Sequence, residues 1–94
     1  MKLRFYVDAE SGEPHIRGHR VYEPEVEQVL AFPLEDRPGR NGSRVAIGRT
    51  VAGRYLRVVY VTEYETASVF VITAFELQGK PLTAFKRRMR RRNQ

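Results

Sequence analysis

The chain has 94 residues, 41% hydrophobic and 30% charged, which fits one domain, because two independent cores would each fall below the size at which a chain folds alone. It has no cysteine, so a disulfide framework and a thiolate zinc site are excluded, as are the large cofactor-binding folds. No apolar run approaches the ~20 residues that cross a bilayer, and Met1-Lys2-Leu3-Arg4 lacks the apolar stretch of a secretory signal, so the expectation is a cytoplasmic protein with no membrane partner.

Lys2 to Val7 alternates Leu3, Phe5 and Val7 against Lys2, Arg4 and Tyr6, the period of a half-buried strand. Asp8 to Pro14 reads as a turn, and His15 to Val21 as a short helical turn weakened by Gly18. A firmer helix follows. Pro24 suits its first position, Glu23, Glu25 and Glu27 favour its positive end, Val26, Val29 and Leu30 share a face, and Pro33 stops it. Leu34 to Ser43, with Pro38-Gly39 and Asn41-Gly42 among charges, reads as an exposed, flexible basic loop. Three strands then follow as a meander, Arg44 to Thr50, Tyr55 to Thr62 and Ser68 to Phe75, with Ala52-Gly53 and Glu63 to Thr66 as the turns. The last two contain Val58-Val59-Tyr60-Val61 and Val69-Phe70-Val71-Ile72, apolar on both faces, and so belong at the centre of the sheet.

Gln78-Gly79-Lys80 punctuates before a final helix in which Pro81 sits near the start and Leu82, Phe85 and Met89 recur on one face. From Lys80 onward the chain carries seven basic and no acidic residues, whereas the first 79 residues carry ten basic and all eleven acidic ones, so the net charge of +6 is a C-terminal feature. Fourteen of the seventeen basic residues are arginine, which suits bidentate phosphate contacts and points to nucleic acid or an acidic protein rather than a membrane surface. The expected fold is a small single α+β domain over 1–94, with a mostly antiparallel sheet of about four strands, one or two N-terminal helices and a basic C-terminal helix over 80–94.

Several words in this order, His15-Ile16-Arg17-Gly18-His19-Arg20-Val21, Val45-Ala46-Ile47-Gly48-Arg49-Thr50, Ala52-Gly53-Arg54-Tyr55-Leu56-Arg57-Val58-Val59-Tyr60 and Val71-Ile72-Thr73-Ala74 before a basic last helix, resemble the RelE superfamily of toxin ribonucleases, in particular its BrnT-like branch and related small domains. The resemblance spans most of the chain. It implies a RelE-like fold and a toxin that cleaves RNA without a metal or other cofactor, held inactive by a cognate antitoxin protein. Two positions depart from the BrnT pattern: Phe75 follows Ala74 where Arg is usual, and His19-Arg20-Val21 stands for His-Gly-Val.

Metal-free cleavage needs a base near the ribose 2′-hydroxyl, cations around the phosphorane and an acid near the leaving oxygen. The chain has two histidines, the residues whose ordinary pKa lies near neutrality; His19 is the first candidate for acid or base, against the reading that it only fixes a turn. His15 and His19 have the spacing of two zinc ligands on a helix, but no third ligand is arranged around them, and no metal site is expected. Arg49 and Arg54 complete the expected catalytic set, converging with Arg57 at one end of the sheet as a phosphate cradle. Arg57, Tyr64, Lys86, Arg87, Arg88, Arg90 and Arg91 are the expected RNA contacts, Tyr64 by stacking on a base. The expected partners are RNA and the antitoxin, with a homodimer as a further assembly. The rival reading is a non-catalytic nucleic-acid-binding or protein-interaction module on the same fold.

Overall fold

A computed structural model describes residues 2–93. Five strands form one mixed sheet: β1 (Lys2–Phe5), β2 (Glu35–Pro38), β3 (Arg44–Arg49), β4 (Tyr55–Glu63) and β5 (Ser68–Glu76), in the order β1-β5-β4-β3-β2. A 3-10 helix (His15–His19) and helix α1 (Glu23–Ala31) separate β1 from β2, and helix α2 (Gly79–Arg92) follows β5.

The expected four-stranded, mostly antiparallel sheet is corrected in two respects. The stretch read as an exposed, flexible loop contains β2, which pairs antiparallel with β3 from Glu35↔Ile47 to Pro38↔Arg44. Its sequence, Glu-Asp-Arg-Pro, carries no apolar alternation because it is an edge strand, and Pro38 at its end blunts that edge. The hairpin turns at Asn41 and Gly42, both with left-handed φ (54° and 78°), the Asn-Gly geometry that matches strand twist. In addition β1 runs parallel to β5, Leu3 opposite Val69 and Phe5 opposite Val71.

Alternation along the central strands divides the sheet into two faces. On one, α1 and the 3-10 helix cover Ala46, Leu56, Val58, Tyr60, Val71 and Ala74 with Ile16, Val21, Val26 and Val29. Gly48 lets α1 approach closely: a Cβ there would lie 3.0 Å from Val29 Cγ1. On the other face α2 lays Phe85, Leu82 and Met89 over Ile47, Tyr55 and Phe75. Its apolar stripe is the one its sequence period indicated.

A buried ion cluster holds α2 in place. Glu35 on β2, only 2% exposed at its side chain, accepts from Arg88 Nε and Nη2 at 3.0 Å each and from Arg92 Nη2 at 2.9 Å, with Arg37 Nε 3.7 Å away. Those hydrogen bonds from Arg88 hold the Glu35 carboxyl below its ordinary range against the opposite pull of burial, with Arg37 and Arg92 adding to the effect. On the opposite face Tyr60 donates to Asp36, and burial together with that bond pushes its hydroxyl up to about 12.

Candidate nucleic-acid interface

The short β1 covers the outer edge of β5 only from Ser68 to Val71, and the 3-10 helix lies beside the uncovered remainder. The backbone fixes that helix by a bond from His15 N to Tyr6 O (2.8 Å) and ends it at Arg20, whose φ of 58° is left-handed. Arg20 thus takes the conformation that glycine adopts without steric cost.

The consequence is a row of rings along the sheet edge. Tyr6 stands 5.8 Å from His15, His15 5.0 Å from His19 and edge-on to it, His19 6.2 Å from Phe75, and the Arg57 guanidinium 5.9 Å from the Phe75 ring. Tyr6 and His19 are exposed, and Phe75 is half-buried. Asp8 Oδ1 lies 3.0 Å from His15 Nδ1, and since a carboxylate can only accept, that nitrogen is the donor.

Arg57 ends the row at the middle of the α2 face, between Ile47 and Phe75 on the neighbouring strands. Its Nε is buried and accepted by no group among the described residues, a pairing deficit of about 1–3 kcal/mol for a donor shielded from water. The sequence predicts it as an RNA contact beside Arg49 and Arg54, with a solvent-facing strand charge as the rival reading. The same face carries Val59, Thr73, Phe70 and Arg4, with the Arg4 guanidinium 5.3 Å from the Phe70 ring.

The other expected residues distribute as follows. Arg54 does not join a phosphate cradle. Its Nη1 donates to both oxygens of Glu25 (2.7 and 2.8 Å) and its Nε to Glu76 (3.2 Å), so it clamps the start of α1 to the end of β5. Burial works against its charge, but the bonds and charges of Glu25 and Glu76 outweigh that and raise its pKa. Arg49 is exposed on the α2 face, 5.5 Å from the Tyr55 ring, and pairs with no carboxylate among the described residues. It stands on β3, however, with β4 and β5 between it and the 3-10 helix, which packs against β5. The expected catalytic set of His19, Arg49 and Arg54 is therefore not brought to one point. Arg57 is the arginine that His19 approaches, through Phe75.

Along α2, Arg88 is spent on Glu35 rather than left for RNA. Lys86 lies 5.3 Å from the Tyr55 ring, so Tyr55 is flanked by Lys86 and Arg49 above a hollow of about 320 Å³ that Arg90 also lines. Arg87, Arg90 and Arg91 are exposed, and at 100° per residue Arg91 falls on the flank opposite Lys86 and Arg90. Tyr64 is 88% exposed in the β4–β5 turn, at the end of the sheet away from Arg49 and α2, and joins neither group.

No protein-family model, curated protein or solved structure matches the chain. Seven of its carboxylates are taken up in ion pairs with arginine among the described residues and Asp8 is bonded to His15, whereas Arg49, Arg57, Lys86, Arg87, Arg90 and Arg91 are unpaired there. Surplus positive charge thus lies on α2 and the strand face beside it, interleaved with Tyr55, Phe75 and His19. Among the described residues no group of three or more metal-ligating side chains exists, and no helix is long and apolar enough to cross a membrane.

Proposed function

We propose that the protein binds single-stranded RNA across the α2 face, as a small RelE/BrnT-like domain. Phosphates are taken by Arg57, Arg49 and the outward cations of α2, while bases stack on Phe75 and Tyr55. The observation that carries this reading is Arg57: a guanidinium with a buried, unaccepted donor, beside an aromatic ring, on a face where Arg49, Lys86 and Arg90 have no carboxylate partner among the described residues. Arginine in that setting offers a planar donor set to a phosphate oxygen and a flat cation to a base. The element order of strand, helices, antiparallel strands and basic helix agrees with the resemblance. On that resemblance an acidic antitoxin is the partner that would cover the same cations.

Metal-free cleavage of the bound strand is the second reading, favoured by the position of His19. It and Arg57 both lie against the Phe75 ring, at 6.2 and 5.9 Å, so on this reading a base stacked at Phe75 would bring its phosphodiester to an imidazole that moves the proton and a guanidinium that steadies the phosphorane. The Asp8–His15 pair positions His19 edge-on from behind.

Anisotropy of a labelled single-stranded RNA in chelator, read with a gel of the same samples, tests both readings. Arg57→Gln should weaken binding about tenfold, one charge-assisted contact, whereas His19→Ala should abolish any cleavage and keep most of the binding. RNA affinity indifferent to Arg57→Gln and Arg49→Gln together would end the binding reading; RNA that stays intact while bound would end the cleavage reading alone.

A further inference from the structure

A second hollow lies on the α2 face at the far side of Arg57, under the β2–β3 hairpin. It has a volume of about 540 Å³ and is lined by Arg37, Gly39, Arg40, Ser43, Arg57 and Val59, among others. From it we infer a discrete site for a phosphate monoester, held by Arg37, Arg40 and Arg57.

The hairpin that forms the roof is seated on the sheet. Ser43 donates through both its N (3.0 Å) and its Oγ (2.6 Å) to Arg40 O, and Gly39 N donates to Ser43 O at 2.8 Å. Gly39 approaches so closely that a Cβ would fall 2.7 Å from Ser43 Oγ and 3.0 Å from Val45 Cγ2. The turn therefore presents Arg40 from a fixed backbone, as a built loop would.

Charge selects the ligand. No carboxylate lines the hollow. Glu35, the one acidic group that reaches Arg37, does so at 3.7 Å and is already shared by Arg88 and Arg92. Three arginines then line a cavity with less than one compensating negative charge, a surplus that a phosphate dianion neutralises and a single carboxylate or phosphodiester does not. The Nε of Arg57 lies buried behind the wall with no acceptor among the described residues, Arg37 is half exposed at the rim, and the Ser43 hydroxyl is a neighbouring polar group. The phosphate can come from free phosphate or a small phosphate ester, or from the terminal phosphate of a nucleic acid.

Arg57 belongs to the RNA face as well, whereas Arg37 and Arg40 do not, so the test uses inorganic phosphate without RNA. Phosphate is titrated into the full-length protein at constant ionic strength against chloride, following backbone amides by NMR. The expected result is saturable binding with shifts confined to residues 37–45 and 57–59, about tenfold weaker in Arg40→Ala and in Arg57→Lys, as for the loss of one charge-assisted contact, and unchanged in Arg20→Ala. Arg40 sits on an exposed turn, so its variant tests the site even if changes at Arg57 disturb the fold. Shifts spread along α2, or none, would overturn the proposal. RNA with a 5′-phosphate binding at least tenfold tighter than its 5′-hydroxyl counterpart assigns the source to a nucleic-acid end; equal affinity of the two, with phosphate still bound, assigns it to a free ester. RNA affinity without phosphate binding overturns this site and leaves the RNA reading standing, while the reverse result spares the site and removes the RNA reading.

Discussion

Replacing Glu35 by Gln probes the junction that places α2 on the sheet. The carboxylate is nearly inaccessible and accepts three hydrogen bonds from Arg88 and Arg92 at 2.9–3.0 Å. Removing one partner of a fully buried ion pair costs about 3–5 kcal/mol, but Arg88 and Arg92 are 33% and 49% exposed, so water takes up much of the released charge and the expected loss is about 2 kcal/mol. With a urea slope near ~1 kcal/mol/M for a domain this small, the unfolding midpoint should fall by roughly 2 M. The acid limb should change too. Arg88 lowers the Glu35 pKa in the fold, so the stabilisation is complete above the ordinary carboxylate value and is lost as pH falls through the lower folded value. The Gln variant should therefore show a flatter decline in acid than the parent. Because Arg88 and Arg92 are set free, RNA affinity of the folded variant should hold or rise at low salt. A midpoint shift below about 0.3 M, or equal acid slopes in the two proteins, would refute the role given to this cluster.

Three further outcomes follow from the same contacts. Arg54→Met should lower stability by about 2 kcal/mol in chemical denaturation, because Glu25 and Glu76 lose their shared partner, and RNA affinity per folded molecule should stay unchanged. Arg20→Gly should be neutral or stabilising by up to about 1 kcal/mol in thermal unfolding, since it relieves a left-handed φ of 58°; a clear loss of stability would mean that the Arg20 side chain holds the turn. In salt titrations of RNA binding, Arg57→Gln and Arg87→Ala should each flatten the log–log slope by about 0.7, the value per single-strand phosphate contact, while Arg88→Ala should leave it unchanged because Glu35 already holds that side chain.

Much of the fold was legible because burial imposes period. The stripe of Leu82, Phe85 and Met89, the runs through Val58–Val61 and Val69–Ile72, and the capping pattern around Pro24 each had to bury a face, and each element formed where that pattern lay. β2 escaped because an edge strand needs no apolar alternation; its one buried side chain, Glu35, looks like a surface charge until Arg88 and Arg92, more than fifty positions later, arrive to neutralise it. The candidate site divided along the same line. Arg49, Arg54 and Arg57 were expected to converge at one end of the sheet; strand pairing puts Arg49 and Arg57 on one face, while Arg54 turns to Glu25 and Glu76. Whether an arginine stays available depends on long-range partners, and no local pattern could show that Arg54 meets Glu25 and Glu76 while Arg57 meets no carboxylate. Phe75, noted as a departure from the BrnT pattern, became the ring joining His19 to Arg57.

The most direct test of the account is amide and side-chain NMR of the protein titrated with a short single-stranded RNA at moderate salt. Perturbations gathered on His19, Arg57, Phe75, Tyr55 and the outward turns of α2, with the α1 face silent, are the result predicted here. Perturbations centred on α1, or an unmoved Arg57 guanidinium at saturating RNA, would contradict it.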